Sequence, residues 1–292
     1  PSVRVAALSV FEALVSSEPV TPEIREIVEK RSNVETDLEE LFSNCSITSD
    51  VTTDKGLEFE DTDDEEACAE FQVDNSQERG MGSLLHICLK NVASKNISPP
   101  VRLQSLKLVS VLVSNFSDYV FRHLDVVAVT MVSIAREFDV QLALHGCRVI
   151  ETIAGCLSNH QTTDVDAPRF WKFVFDTVLS LARDPNPALR EAACTCLGSI
   201  DSTTFALLPR KHSTSIVTTL FEALPNKEST VRAASIRALG MLVTLPSLEE
   251  DPAFFIKLTE AVCLSIKDSS PTVRVKAAWT LANLCDCFVN QM

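Results

Sequence analysis

Glycine is scarce in this sequence, with seven in 292 residues, and turn pairs of the Asn-Gly kind are absent. Tight hairpins need such pairs because their central residues take positive φ, so a β-rich fold is excluded. No apolar run is long enough to span a membrane. The ten cysteines include no Cys-x-x-Cys pair. Cys194-x-Cys196 and Cys285-x-Cys287 fall in helical segments, where side chains two apart point about 200° away from each other and are poorly placed to share an ion. They are expected to be reduced, small buried hydrophobes of a cytosolic or nuclear protein. The five histidines (His86, His123, His145, His160 and His212) are scattered without a His-x-x-x-His pair and read as packing or surface residues. There is no nucleophile elbow, phosphate loop or paired-carboxylate motif. Gly80-Met81-Gly82 borders a charged loop instead of following a strand, so it is not a nucleotide cradle. Neither catalysis, a cofactor nor a metal site is expected. Without an initiator Met, basic leader or cleavage site, no signal peptide is read, and the chain is expected to be an internal segment of a longer intracellular protein.

What the sequence does contain is a repeated offset. Asn96/Arg102, Asp184/Arg190, Asn226/Arg232 and Asp268/Arg274 each place an Asp or Asn six residues before an Arg, and the last three arginines are 42 residues apart. Each Arg follows Val or Leu and opens an Arg-x-x-(Ala/Ser) run. A period near 40 residues with helical patterning marks a solenoid of stacked helix pairs. Second helices are expected at 2–16, 100–114, 139–157, 187–200, 229–244 and 271–288, with Gln141 standing where the others have Arg. First helices are expected at 81–95, 117–136, 167–183, 210–224 and 252–267, several opened by proline, which suits a first helical turn. The acid or amide can accept from loop N–H groups, and the Arg fork can reach carboxylates and carbonyls of its own or the adjacent repeat. These eight residues are therefore assigned to repeat stacking, in preference to ligand binding by the arginines.

The Asp/Asn-x5-Arg loop, the Val-Arg-x-x-Ala helix start and the proline before the first helix resemble HEAT repeats, over residues 81–292 and, as a half repeat, 1–17. The resemblance implies an all-α, right-handed superhelical α-solenoid of HEAT/armadillo-like helix pairs, intracellular and poorly defined in role. It transfers no catalytic residue. Gln141 and a long acidic segment depart from the pattern.

The acidity is local. Of the net charge of −14, residues 31–80 carry nearly all, so the solenoid itself is near neutral and lacks the basic footprint that nucleic acid requires. Arg4 and Arg102 lie 98 residues apart where one period is 42, so residues 18–80 read as an insertion. Its first part is patterned for a helix, with Thr21 as N-cap and Pro22 behind it. Residues 43–80 lose the pattern and are expected to be disordered, since Glu58–Glu66 cannot bury enough apolar surface to offset its ordering entropy. Three roles compete for it: a solvated loop without a specific task, a lure for a basic partner or a mimic folding onto the solenoid, and a phosphorylation site at Thr62, whose Asp63, Asp64 and Glu65 suit an acid-directed kinase.

Counted from each Arg, offsets +1, +5, +8 and +12 form one stripe of the second helix. At +5 stand Ser9, Lys107, Gly146, Thr195, Arg237 and Trp279, and at +8 stand Glu12, Ser110, Val149, Gly198, Gly240 and Ala282. This smaller, more polar stripe is expected to face an exposed concave groove. Lys107, Arg237 and Trp279 are the partner-binding candidates, because Arg and Trp make good anchors in a recess. For Trp279 the competing reading is packing against a further repeat. The expected function is a protein-interaction scaffold, with no nucleic-acid or membrane partner. The alternative is a carrier whose acidic insertion engages basic cargo.

Overall fold

The computed structural model describes residues 2–16, 20–29, 82–159, 166–249 and 251–290. The chain begins with α1 (Ser2–Val15) and α2 (Pro22–Glu29), and resumes with α3 (Ser83–Ala93), α4 (Pro99–Asn115), α5 (Ser117–Phe121), α6 (Leu124–Ala135) and α7 (Val140–Asn159). It continues through α8 (Asp166–Leu181), α9 (Pro187–Gly198), α10 (Ser202–Leu207), α11 (Arg210–Ala223) and α12 (Ser229–Leu242). It closes with α13 (Pro246–Glu249), α14 (Pro252–Ser265) and α15 (Pro271–Asn290). The acidic run Glu58–Glu66, Thr62 and the segment expected to be disordered lie outside the described residues.

The helices form two layers. α1, α4, α7, α9, α12 and α15 pack side by side in chain order, and α3, α6, α8, α11 and α14 each cover the second helix that follows. Short helices α5, α10 and α13 join a second helix to the next first helix. The sequence reading missed α10 and α13, and merged α5 with α6 into one helix at 117–136. A break at Arg122–His123 separates those two.

Local chemistry sets the helix starts. Asn186 accepts from the Ala188 N–H at 2.9 Å, Asp251 from Ala253 and Phe254, Asp201 from Thr204, and Asp139 from Gln141 and Leu142, so these N-termini have donors satisfied by side chains. Pro187 and Pro252 follow two of these caps at positions where a missing N–H costs nothing. Between the layers, Leu106, Leu112, Ile150, Ile153, Phe170 and Trp171 are almost wholly buried. Each contributes about 1.5–3 kcal/mol or more by leaving water.

Side-chain size gives the stack its curvature. Neighbouring second helices meet through small residues. A Cβ on Gly198 would stand 2.8 Å from Cβ of Ala238, and one on Gly240 would collide with Thr280. Neighbouring first helices are held apart by rings, with Phe175 against His212 at 4.6 Å and Phe221 against Phe254 at 6.1 Å between centroids. A layer packed through glycine is shorter than one packed through phenylalanine, so the second-helix face lies on the concave side.

The end of α2 and Gly82 are in contact. A Cβ on Gly82 would fall on the Val28 carbonyl oxygen and 2.7 Å from the Tyr119 hydroxyl, which accepts from the Gly82 N–H. Only glycine lets the returning chain approach the end of α2 this closely.

Candidate functional site

The six-residue offset produces two sets of contacts. Within a repeat, Arg232 Nη1 donates to the Asn226 and Lys227 carbonyls at 2.9 Å each, Arg190 Nη1 to Asp184 and Pro185 at 2.7 and 2.8 Å, and Arg274 Nη1 to Asp268 and Ser269 at 2.9 Å each. Between repeats, Arg232 clasps both Asp268 carboxylate oxygens at 2.8 Å, Arg190 donates to Asn226 Oδ1 at 3.4 Å, and Arg102 pairs with Glu137. The acceptor also folds its own loop: Asp184 takes the Asn186 N–H, Asn226 that of Glu228, and Asp268 that of Ser270. Arg102 is buried and also donates from Nε and Nη2 to the Val92 carbonyl at 2.9 and 2.8 Å. Asn96 is exposed and makes none of these contacts. The Arg232 fork, together with the Ser270 N–H, holds the Asp268 carboxyl below the usual carboxylate range.

Glu137 was not among the expected residues, and it corrects the register of α7. Arg102 reaches Glu137 as Arg190 reaches Asn226 and Arg232 reaches Asp268, so Glu137 occupies the acceptor position and Ala143, six residues later, the arginine position. The helix-to-helix contacts agree. Thr280 Oγ1 at +6 donates to the Ile236 carbonyl at +4, and Cys196 Sγ at +6 donates to Cys147. Cys287 Sγ at +13 donates to Val243 at +11, Asn115 Nδ2 to Val15, and Cys156 Sγ to Val113. The two pairs that involve α7, Cys196–Cys147 and Cys156–Val113, match the other three in offset only when position zero of α7 is Ala143. Gln141 is therefore not the arginine equivalent. It is the residue whose N–H is capped by Asp139, as Ala188 is capped by Asn186. Ala143 has no fork to offer, so the interhelical rung between α7 and α9 is missing.

The corrected register changes the +5 row. Gly146 is buried and belongs to +3, and Arg148 takes its place. Position +3 faces the first helices, where Ser235 donates to the Leu220 carbonyl. Position +5 lies about 200° further round and points away from the core. The row thus reads Ser9, Lys107, Arg148, Thr195, Arg237 and Trp279, exposed or half-buried throughout, with Trp279 at 42% exposure. The +8 row differs from expectation. Gly198 and Gly240 are buried against the next second helix, and Val149, also buried, moves to +6 once the register is corrected. Position +8 is turned toward the following repeat, so only part of the expected stripe is open.

In α7 the +8 residue is Glu151, and His145 stands at +2. Burial raises the Glu151 carboxyl above its usual value, while Arg237 and Arg148 pull it back. Burial, then Arg148 and Lys107, lower the His145 imidazole. Lys107, Arg148 and Arg237 thus act on neighbours across α4, α7 and α12. Arg148 could have been found from sequence by asking which Asp/Asn caps α7. Asp139 lies four residues before Ala143, as Asn186 lies four before Arg190.

The cysteines Cys88, Cys147 and Cys194 are buried, and burial pushes their thiols up to about 12. Among the described residues no group of three His, Cys, Asp or Glu side chains could hold a metal, and no helix is long and apolar enough to cross a membrane. An apolar groove opens at the N-terminal end between α1, α2 and α3, walled by Phe11, Ile27, Leu84 and Ile87.

Two layers of helix pairs, stacked through arginine rungs and curved about their second helices, define an α-solenoid of the HEAT/armadillo kind. Residues 175–262 match a family model of HEAT repeats and residues 258–288 one of the single HEAT repeat. An uncharacterized protein of Dictyostelium discoideum is 30% identical over 135 residues, which is 45% of this chain and 9% of that protein, so the chain spans a small part of this relative. Among solved structures, importin beta matches 97% of this chain with 30% of its own length, at 14% identity and a TM-score of 0.57. A designed armadillo repeat protein in complex with the peptide (KR)4 matches 95% of this chain and 99% of its own, at 10% identity and a TM-score of 0.52.

Proposed function

We propose that the chain is a non-enzymatic protein-interaction scaffold that presents its concave second-helix face to a protein partner, with Lys107, Arg237 and Trp279 as anchors. Residues 81–292 form its helix-pair repeats, residues 1–17 a leading half repeat and residues 18–80 an insertion. Arg102, Asp184, Arg190, Asn226, Arg232, Asp268 and Arg274 serve stacking, and Thr62 is a phosphorylation site. Asp268–Asp286 and Ser98–Lys107 resemble HEAT repeat-containing protein 6, and we place the chain near that protein. Nucleic acid and membrane are not its ligands.

One observation carries the reading: the junction arginines are engaged in rungs, whereas the arginine and lysine side chains at +5 point away from the core. Affinity capture with the intact protein and with its Arg237→Ala/Trp279→Ala variant tests it, using Lys257→Ala/Lys267→Ala on the outer layer as control. Loss of partners from the first variant alone is expected. Identical partner sets from all three proteins would remove the groove.

A carrier reading rests on the acidity of residues 31–80. It requires cargo binding that falls steeply with salt and vanishes when residues 43–80 are deleted. A basic peptide such as (KR)4, held by the designed armadillo protein, is a poor electrostatic match to Lys107, Arg148 and Arg237. The concave face therefore favours the scaffold reading.

A further inference from the structure

The cations of the +5 row are set apart from the other arginines of the second helices. Arg102, Arg190, Arg232 and Arg274 each donate to carbonyls or side chains of the junctions. Lys107 on α4, Arg148 on α7 and Arg237 on α12 form no ion pair or hydrogen bond with a described residue. Lys107 and Arg148 are exposed and Arg237 is half-buried. Between Arg148 and Arg237 the row holds Thr195, a neutral hydroxyl on α9. Two carboxylates lie on the same helices, Glu151 and Glu191, and a third, Glu12, lies on the neighbouring α1. Glu12 is engaged by Gln104, while Glu151 is half-buried at +8 and Glu191 half-buried at +1, both flanking the row. The row itself is cation, cation, hydroxyl, cation.

Its spacing selects a conformation. Packed helices lie about 8–10 Å apart, so successive +5 positions advance by about that distance. A polyproline-II segment returns to the same face every third residue and rises about 3.1 Å per residue, so it advances about 9.3 Å per turn. A β-strand alternates faces and puts every third residue on the wrong side. Acidic segments of low hydropathy populate polyproline II without a core of their own.

We propose that this row is a track for an acidic segment of a partner protein, bound in polyproline-II conformation across α4, α7, α9 and α12. Its carboxylates at i and i+3 meet Lys107 and Arg148, a neutral residue at i+6 meets Thr195, and a carboxylate at i+9 meets Arg237. This deepens the scaffold reading and rests on it.

The test is fluorescence anisotropy with two labelled Pro/Ser-rich peptides of one composition. One carries Glu at the first, fourth and tenth positions, the other carries its three Glu consecutively at one end. The full chain is expected to bind the spaced peptide several-fold more tightly. Lys107→Glu/Arg148→Glu/Arg237→Glu is expected to weaken it about tenfold, since three exposed pairs at about 0.5 kcal/mol each sum to about that loss. The outer-layer variant Lys257→Glu/Lys267→Glu should bind as wild type. Should the triple variant melt early, Lys107→Ser alone, at an exposed site, should still reduce the preference for the spaced peptide. Equal affinity for the two peptides, no saturable binding of either, or an equal loss in the outer-layer variant would overturn the proposal. If the peptides fail while Arg237→Ala/Trp279→Ala still loses its captured partners, the track is wrong and the scaffold reading stands. Unchanged capture removes the scaffold reading itself.

Discussion

Gly240 and Arg232 show how single residues hold neighbouring repeats together. Gly240 weakens its own helix, and alanine there would gain about 1 kcal/mol of helix propensity. Its added methyl would meet Thr280, whose hydroxyl is bonded to the Ile236 carbonyl. Gly240→Ala is therefore expected to destabilise by about 1–3 kcal/mol net, as overpacking does, measured by urea unfolding. Arg232 predicts a pH dependence. Because its hydrogen bonds lower the folded-state value of Asp268, the stabilisation is complete above the ordinary value of 3.8 and is lost as pH falls through the lower folded value. Arg232→Ala should lower stability at neutral pH and flatten the acid limb of the unfolding curve below about pH 4. Loss at neutral pH with an unchanged acid limb would assign the acid sensitivity to another carboxylate.

At the scale of helices, the repeat pairs were legible because each begins with Val or Leu, Arg and small residues at fixed spacing. The expected bounds of the second helices fall within about two residues of those observed, as usual at frayed ends. The register of α7 was not legible. Ala143 carries no fork and Glu137 replaces Asp or Asn, so neither signature residue was present, and Val140-Gln141 took the place of a Val-Arg start. With it went Arg148, which the sequence reading left out of the groove. α10 and α13 were missed because six- and four-residue helices carry too few turns to show a period. Glu137 also yields a prediction. The Arg102 side chain is 6% exposed and Glu137 18% exposed, so Glu137→Ala leaves a buried guanidinium without its counter-charge, held only by the Val92 carbonyl, and should cost about 3 kcal/mol. Glu222→Ala, which removes the partner of Arg183 in a pair more than 60% exposed on both sides, should cost under about 0.5 kcal/mol. Chemical denaturation of both variants checks the contrast.

Over the whole molecule, small residues between second helices and rings between first helices give one layer a shorter length than the other, and the +5 row lies on the shorter side. Gly82 meets the end of α2 at Val28 and Glu29, so the described residues on either side of positions 30–81 are in contact. Deleting residues 43–80 should therefore leave the solenoid folded and, by shortening the closed loop, stabilise it by about 1 kcal/mol, read as a small rise in Tm. A large fall in Tm would mean that the deleted segment packs on the repeats. The central claim is that function resides on the concave row while the junction arginines serve stacking. It is tested most directly by placing a photo-cross-linking amino acid at Thr195, in the middle of the row, or at Ser180, exposed on α8 in the outer layer. The account predicts cross-links to one partner protein from position 195, abolished by charge reversal of Lys107, Arg148 and Arg237, and none to that partner from position 180. The same partner cross-linked from position 180 alone would contradict it.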